Sequence, residues 1–229
     1  MRINQYLAQA LGISRRVADK EIALGNVVLG SKRAVLGDQV ETGDKVSWKG
    51  KPVVNTKVDP TTIMLNKPAG YVTSRKHDES DAPTVMDLLP KDLQHLKPVG
   101  RLDKDSCGLL LLTDDGDLVY RSTHPKFETE KEYVVEFDSP LSDREIEAWK
   151  KGIRLTDGIA KADKIERLGR RFKIVLHQGK NRQIRRMAGK SGNKVNMLKR
   201  VRVAEVNLGT LEEGKWKKLS SKTTSKKTK

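Results

Sequence analysis

Three short segments concentrate the side chains able to do chemistry. The first, Gly100-Arg101-Leu102-Asp103-Lys104-Asp105-Ser106-Cys107-Gly108, holds two carboxylates between glycines, immediately before the apolar run Leu109–Leu112. A polar loop anchored to the start of a buried strand keeps its side chains in place, which suits a reacting group. A carboxylate held there can attack carbon as a nucleophile or take a proton as a base. Asp103 and Asp105 are also ordinary turn formers, and the residues alone do not choose between them. The second segment, Glu130-Lys131-Glu132-Tyr133, sets an aromatic ring among charges, and the third is Gln178-Gly179-Lys180-Asn181-Arg182-Gln183-Ile184-Arg185-Arg186-Met187. Asp114-Asp115-Gly116 is a turn signal and is assigned no chemistry.

The third segment opens a longer basic stretch. Gly179 to Arg202 carries nine cationic residues (Lys180, Arg182, Arg185, Arg186, Lys190, Lys194, Lys199, Arg200 and Arg202) and no acid. Solvated surfaces mix signs, so this stretch is read as a phosphate-binding face. The whole chain agrees, with 46 Lys plus Arg against 30 Asp plus Glu and a net charge of +16. Displaced counterions make such a surface bind polyanions.

The elements that must position these residues follow from patterning. Leu109–Leu112 reads as a buried strand, Tyr133–Phe137 as an inner strand, Ile63–Leu65 and Arg171–Leu176 as further strands. Ser142 caps a helix whose apolar side is Ile146 and Trp149, and Gln183–Lys190 is a basic helix. Strands and helices mix without regular alternation, so the expected fold class is α+β with a largely antiparallel sheet.

An N-terminal module precedes this domain. Ile3, Leu7 and Leu11 mark one helix ended by Gly12, and Ser14 caps a second with Val17, Ala18 and Ile22 on its apolar side. Val27–Leu29, a Gly30-Ser31 turn and Ala34–Leu36 read as paired strands, with Val46–Trp48 as another. Arg15, Arg16 and Lys20 lie near the start of the second helix, where cations and free N–H groups both meet phosphate. The motifs Arg2-Ile3-Asn4-Gln5-Tyr6-Leu7, Ser14-Arg15-Arg16-Val17-Ala18, Gly25-Asn26-Val27 and Gly37-Asp38-Gln39-Val40 resemble the alpha-L RNA-binding domain. The expected division is residues 1–56 for this module, 61–219 for a catalytic domain and 220–229 for a disordered basic tail.

Taken together, the three chemical segments resemble the pseudouridine synthases of the RsuA type, whose members join an alpha-L domain to a catalytic domain. Gly-Arg-Leu-Asp followed by Gly-Leu-Leu-Leu-Leu-Thr-Asp-Asp-Gly, Asn-Arg-Gln-Ile-Arg-Arg-Met, Leu65-Asn66-Lys67-Pro68-Ala69-Gly70 and Gly214-Lys215-Trp216 carry the likeness. The large-subunit ribosomal RNA members are the most similar in these motifs. The resemblance implies that Asp103 is the catalytic aspartate, Tyr133 packs by the uracil and Arg185 pairs with Asp103. It implies that Arg101 fills the gap left by an extruded nucleotide, that Ile184 gives the pocket an apolar wall, and that Lys67 belongs to that pocket. Tyr133 and Ile184 equally suit a core, and Arg101 and Arg185 equally suit phosphate.

The implied reaction fits this residue set. The uracil N1–C1′ bond breaks, the base turns and C5 joins C1′. Glycosidases need paired carboxylates because one handles the leaving group and the other water, whereas an isomerase that excludes water can use one. Neither metal nor cofactor is required, and His77, His95, His124 and His177 lack ligand spacing. The expected partner is ribosomal RNA at a stem-loop carrying the target uridine, with a transfer RNA as a further candidate substrate, and the protein is expected to be a monomer. The one cysteine, the absence of an apolar leader and the lack of a membrane-length apolar run give a cytoplasmic expectation. The rival reading is a non-catalytic RNA-binding protein of ribosome assembly, which leaves the Gly-Arg-Leu-Asp loop without a purpose.

Overall fold

The computed structural model describes residues 1–54, 60–75 and 82–220. The expected tail beyond Ser220, His77 and the Asp59 side of the interdomain break lie outside the described residues. Contacts divide the chain into two compact units, Met1–Asp59 and Pro60–Lys229.

In the first unit, helices α1 (Ile3–Leu11) and α2 (Arg15–Ala23) pack against a four-stranded antiparallel sheet. Its strands are β1 (Val27–Leu29), β2 (Lys32–Arg33), β3 (Val46–Trp48) and β4 (Lys51–Val53), in the order β2-β1-β3-β4. Gly12 stops α1 in the left-handed conformation, and the Ser14 hydroxyl caps α2 by accepting from Val17 N–H. Two expectations are corrected. The strand after Gly30-Ser31 is Lys32–Arg33, not Ala34–Leu36, because a two-residue turn pairs Leu29 with Lys32 at once. Ala34 is buried beyond the strand, while Val35 and Leu36 are exposed. Val17 is exposed as well, since only Ala18 and Ile22 of α2 reach the core.

The second unit is built on a nine-stranded sheet. Its strands are β5 (Thr62–Lys67), β6 (Lys97–Pro98), β7 (Cys107–Thr113), β8 (Lys131–Phe137), β11 (Lys164–Leu168), β12 (Arg171–Leu176), β13 (Val195–Val203), β14 (Val206–Asn207) and β15 (Trp216–Lys218). The main path runs β11-β12-β8-β13-β7-β5-β15, antiparallel everywhere except between β13 and β7. A separate hairpin joins β9 (Ile153–Leu155) to β10 (Gly158–Ala160). The expected α+β class with a largely antiparallel sheet holds. Helices α3 (Gly116–Thr123), α4 (Asp143–Lys151) and α5 (Gln183–Lys190) complete the unit. Asp115 caps α3, so the Asp114-Asp115-Gly116 turn also starts a helix. Ser142 and Glu145 form a reciprocal capping box on α4.

Leu109–Leu112 is buried on both faces of the sheet: Leu110 and Leu112 pack with Ile63 and Leu65, while Leu109 and Leu111 pack with Met64 and Val203. A continuous apolar run is what two covered faces require. A second core lies under α4 and α5, where Trp149 meets Phe137 edge-on with ring centres 5.7 Å apart. Among the described residues no helix is long and apolar enough to cross a membrane.

Candidate active site

The Asp103 loop runs from β6 into β7 and is held from three sides. Lys67, at the end of β5, is fully buried, and its ammonium donates to the carbonyls of Pro68 (2.9 Å), Asp103 (3.1 Å) and Ser106 (2.6 Å). Burial pushes the Lys67 ammonium down to about 8. Thr73 exchanges hydrogen bonds with Leu102, its hydroxyl donating to the carbonyl at 2.7 Å. The third hold is close backbone packing. Gly108 has φ +101°, and a Cβ there would lie 2.2 Å from the carbonyl oxygen of Arg200.

This loop forms one wall of a cleft of about 690 Å³ that lies wholly within the second unit. Lys131 and Tyr133 face it from β8, two residues apart and therefore on one face of the strand. Arg200 on β13 stands opposite Tyr133 in register and lines the same cleft. The segment from Gln178 to Ile184, leading into α5, forms the facing wall. Asp103, Arg101, Tyr133 and Ile184 thus meet in one cavity, as expected. Ile184 is also buried in the core under α5, and Tyr133 packs against both sheet cores.

Two expected site residues, Lys67 of the pocket and Arg185 as the partner of Asp103, lie elsewhere. Lys67 does not line the cleft; it sits behind the loop, because a fully buried ammonium needs backbone carbonyls, which the loop and Pro68 supply. Arg185 also lies behind the cleft and does not pair with Asp103. Its side chain, 14% exposed, sets Nε 3.3 Å from the Asp105 carboxylate and donates to the Asp105 carbonyl (2.9 Å) and the Val195 carbonyl (3.1 Å). Among the described residues the cation paired with Asp103 is Arg182, at 3.9 Å. Arg182 itself binds the Asp105 carboxylate in parallel, at 3.1 and 2.8 Å. Burial raises the Asp105 carboxyl, but the Arg182 hydrogen bonds and the Arg185 charge outweigh it and hold the group below its ordinary range.

The basic stretch is less free than its sequence suggests. Arg200 is buried, donating through Nε to the Leu109 carbonyl at 2.7 Å, and so is not a free surface cation. Arg186 forms a two-point pair with Asp157, and Arg202 pairs with Glu130 and Glu132 across the β13–β8 ladder. The acids absent from the segment come from its neighbours in space. Lys190 and Lys194 remain exposed, Lys199 is half-buried, and Lys180 donates to the Asp157 carbonyl. Arg15, Arg16 and Lys20 are exposed on α2 of the first unit.

Sequence reasoning missed Lys131. Its ammonium donates to the carbonyls of Thr129 (2.8 Å) and His177 (3.3 Å), and burial followed by the Arg200 charge pushes it down to about 8. The two-residue spacing from Tyr133 was the available signal.

Comparison with known proteins agrees with this geometry. Residues 61–190 match the family described as RNA pseudouridylate synthase. The dual-specificity RNA pseudouridine synthase RluF of Escherichia coli (strain K12) is 38% identical over 222 residues, spanning 96% of this chain and 76% of the relative. The ribosomal large subunit pseudouridine synthase B of Xanthomonas axonopodis pv. citri is also 38% identical, over 90% of this chain and 40% of the relative. A crystal structure of a pseudouridylate synthase superimposes with a TM-score of 0.70 at 31% identity, over 98% of each chain. Fold, cleft and relatives converge: the chain belongs to the RNA pseudouridine synthases of the RsuA type.

Proposed function

We propose that this chain isomerises a specific uridine of ribosomal RNA to pseudouridine in the Asp103 cleft. A transfer RNA is a further substrate candidate. The carrying observation is that Asp103, Tyr133, Arg101 and Ile184, far apart in sequence, line one cavity large enough for a nucleotide. The name of the large-subunit relative favours a ribosomal target, and the dual specificity in the name of RluF favours a second RNA beside it.

A base inside a helix is out of reach, so the target uridine flips into the cleft at a cost of a few kcal/mol. Tyr133 and Ile184 cover the uracil faces, and Arg101 fills the space left in the RNA. Asp103 acts at the ribose, as nucleophile at C1′ or as base at C2′, while the N1–C1′ bond breaks. The uracil turns, C5 bonds to C1′, C5 loses its proton and N1 gains one. Atoms and charge balance without a redox partner. Arg185 is a positioning residue in this scheme, acting through Asp105 and the loop backbone. Lys67 serves the same end from beneath, and Arg182 supplies the cation near Asp103.

The expected module of residues 1–56, within the first unit, is a second RNA grip presenting Arg15, Arg16 and Lys20, in the manner of an alpha-L domain. Lys180, Lys190, Lys194 and Lys199 provide backbone contacts on the catalytic domain. The protein acts as a monomer in the cytoplasm.

A position-resolved pseudouridine map of RNA from cells with and without the protein tests the reading. One or more uridines should lose modification when the protein is absent, and Asp103→Asn should fail to restore them. The same variant should bind RNA with nearly unchanged affinity, since its carboxylate contacts no phosphate. Activity within tenfold of wild type would overturn the Asp103 assignment.

A further inference from the structure

Three rings cluster beside the cleft without joining any of the buried cores. Tyr120, on the last turn of α3, lies 4.9 Å from His124 and 5.5 Å from Phe127, centre to centre. His124 and Phe127 are 6.3 Å apart. The Lys126 ammonium stands 5.0 Å from the Tyr120 ring centre and 4.8 Å from that of Phe127. Tyr120 is 46% exposed, in a chain where aromatics are only 4% of residues. Spending three rings at the surface gives up core burial, and a ring kept wet is available to a ligand.

The cluster is continuous with the cleft. His124 and Pro125 line it together with Asp103, and the Lys126 N–H donates to His124 Nδ1 at 3.3 Å, which fixes the imidazole. An extruded uridine leaves its neighbours unstacked, and those bases need a new partner. Aromatic rings with an adjacent cation are what unpaired bases stack on, because every base has a π face and every nucleotide carries a phosphate.

We propose that Tyr120, His124 and Phe127 form a stacking shelf for an unpaired nucleobase adjoining the target uridine, with Lys126 meeting its phosphate. This rests on the cleft being the uridine site. The shelf would select RNA in which a neighbour of the target is free to leave its helix, and so contributes to site choice apart from the chemistry at Asp103.

The probe is a large-subunit ribosomal RNA stem-loop carrying the mapped uridine, with 2-aminopurine placed in turn immediately 5′ and 3′ of it. Binding should quench one of the two labels by stacking. Tyr120→Ala should abolish that quench and weaken binding by about 5- to 150-fold, the range expected for one base stack. Tyr120→Phe should keep both. Replacing the labelled nucleotide by an abasic ribose should erase the difference between wild type and Tyr120→Ala. Unchanged quenching in Tyr120→Ala and in His124→Ala overturns the shelf, whatever the turnover. An Asp103→Asn protein that still forms pseudouridine overturns the cleft assignment instead, so the two failures are told apart.

Discussion

Arg182 grips the Asp105 carboxylate at two points while its own backbone sits in the left-handed region, with φ +45° and ψ +38°. That conformation costs a non-glycine residue about 1 kcal/mol or more. The ion pair and the start of α5 together hold it, so the loop that carries Asp103 and the helix that walls the cleft are tied through one carboxylate. Arg185 adds a second tie from the same helix.

Asp105→Asn should therefore loosen the cleft without removing any group proposed to touch the uridine. The pair is 44–45% exposed at each side chain, so the stability loss should be modest, about 1 kcal/mol by urea unfolding. Single-turnover rates should fall by about tenfold or more, because Arg182, now 3.9 Å from Asp103 and no longer held by a charged Asp105, becomes free to form a direct ion pair with Asp103. A rate equal to wild type would show that the tie is unimportant to the reaction.

Salt dependence should separate bound from free cations. Replacing Lys190, Lys194 and Lys199 together should make the slope of log affinity against log salt shallower by up to about 3 units. Arg185→Ala and Arg200→Ala should leave that slope nearly unchanged and lower stability instead, by about 2–4 kcal/mol, since each guanidinium is held by buried backbone. RNA titrations at several salt concentrations, beside thermal unfolding, decide the matter.

Gly108→Ala should be among the most damaging small changes in the chain. The added methyl would meet the Arg200 backbone at 2.2 Å in a conformation that side chains avoid. The expected cost is about 3 kcal/mol or more, with loss of activity following loss of the β7–β13 pairing. A urea midpoint within error of wild type would contradict it.

Lys67 and Lys131 both hold protons less tightly in the folded chain, at about 8 against an ordinary 10.5. Between these values the unfolded chain binds more protons, so each lysine makes stability rise as pH climbs from about 8 to 10.5. Below about 8 both are charged in either state and the effect is flat. Lys67→Met and Lys131→Met should each flatten the rise in unfolding free energy measured from pH 8 to 10, relative to wild type. Parallel curves would mean that these ammonium groups are better solvated than their surroundings suggest.

Much of this architecture is legible in the sequence, for reasons that particular elements make plain. Leu109–Leu112 announces a strand covered on both faces, and Ser142 with Glu145 announces a helix start. β13 is hidden because Lys199, Arg200 and Arg202 read as an RNA face, while the strand's buried positions are Val195, Leu198, Val203 and Arg200 itself. The burial of Lys67 is equally hidden, since lysine belongs at surfaces and carbonyls of a distant loop help make it tolerable inside. The exchange of Asp103 for Asp105 as the partner of Arg185 depends on side-chain direction within the loop between β6 and β7, which spacing does not encode. Asp103, Tyr133, Arg101 and Ile184 were found through motifs, and their meeting in one cleft is a property of the sheet order.

That sheet order also governs when the protein can come into being. β13 lies at the middle of the sheet, between β8 and β7, and the Arg200 guanidinium grips Leu109, 91 residues earlier. A growing polypeptide cannot close the sheet until this late strand has left the ribosome, and until then the apolar edge of β7 stands open. Up to that point the second unit is catalytically inert and its open sheet edge is prone to aggregation. Competence to isomerise a uridine arrives nearly all at once, when β13 has emerged and taken its place between β8 and β7.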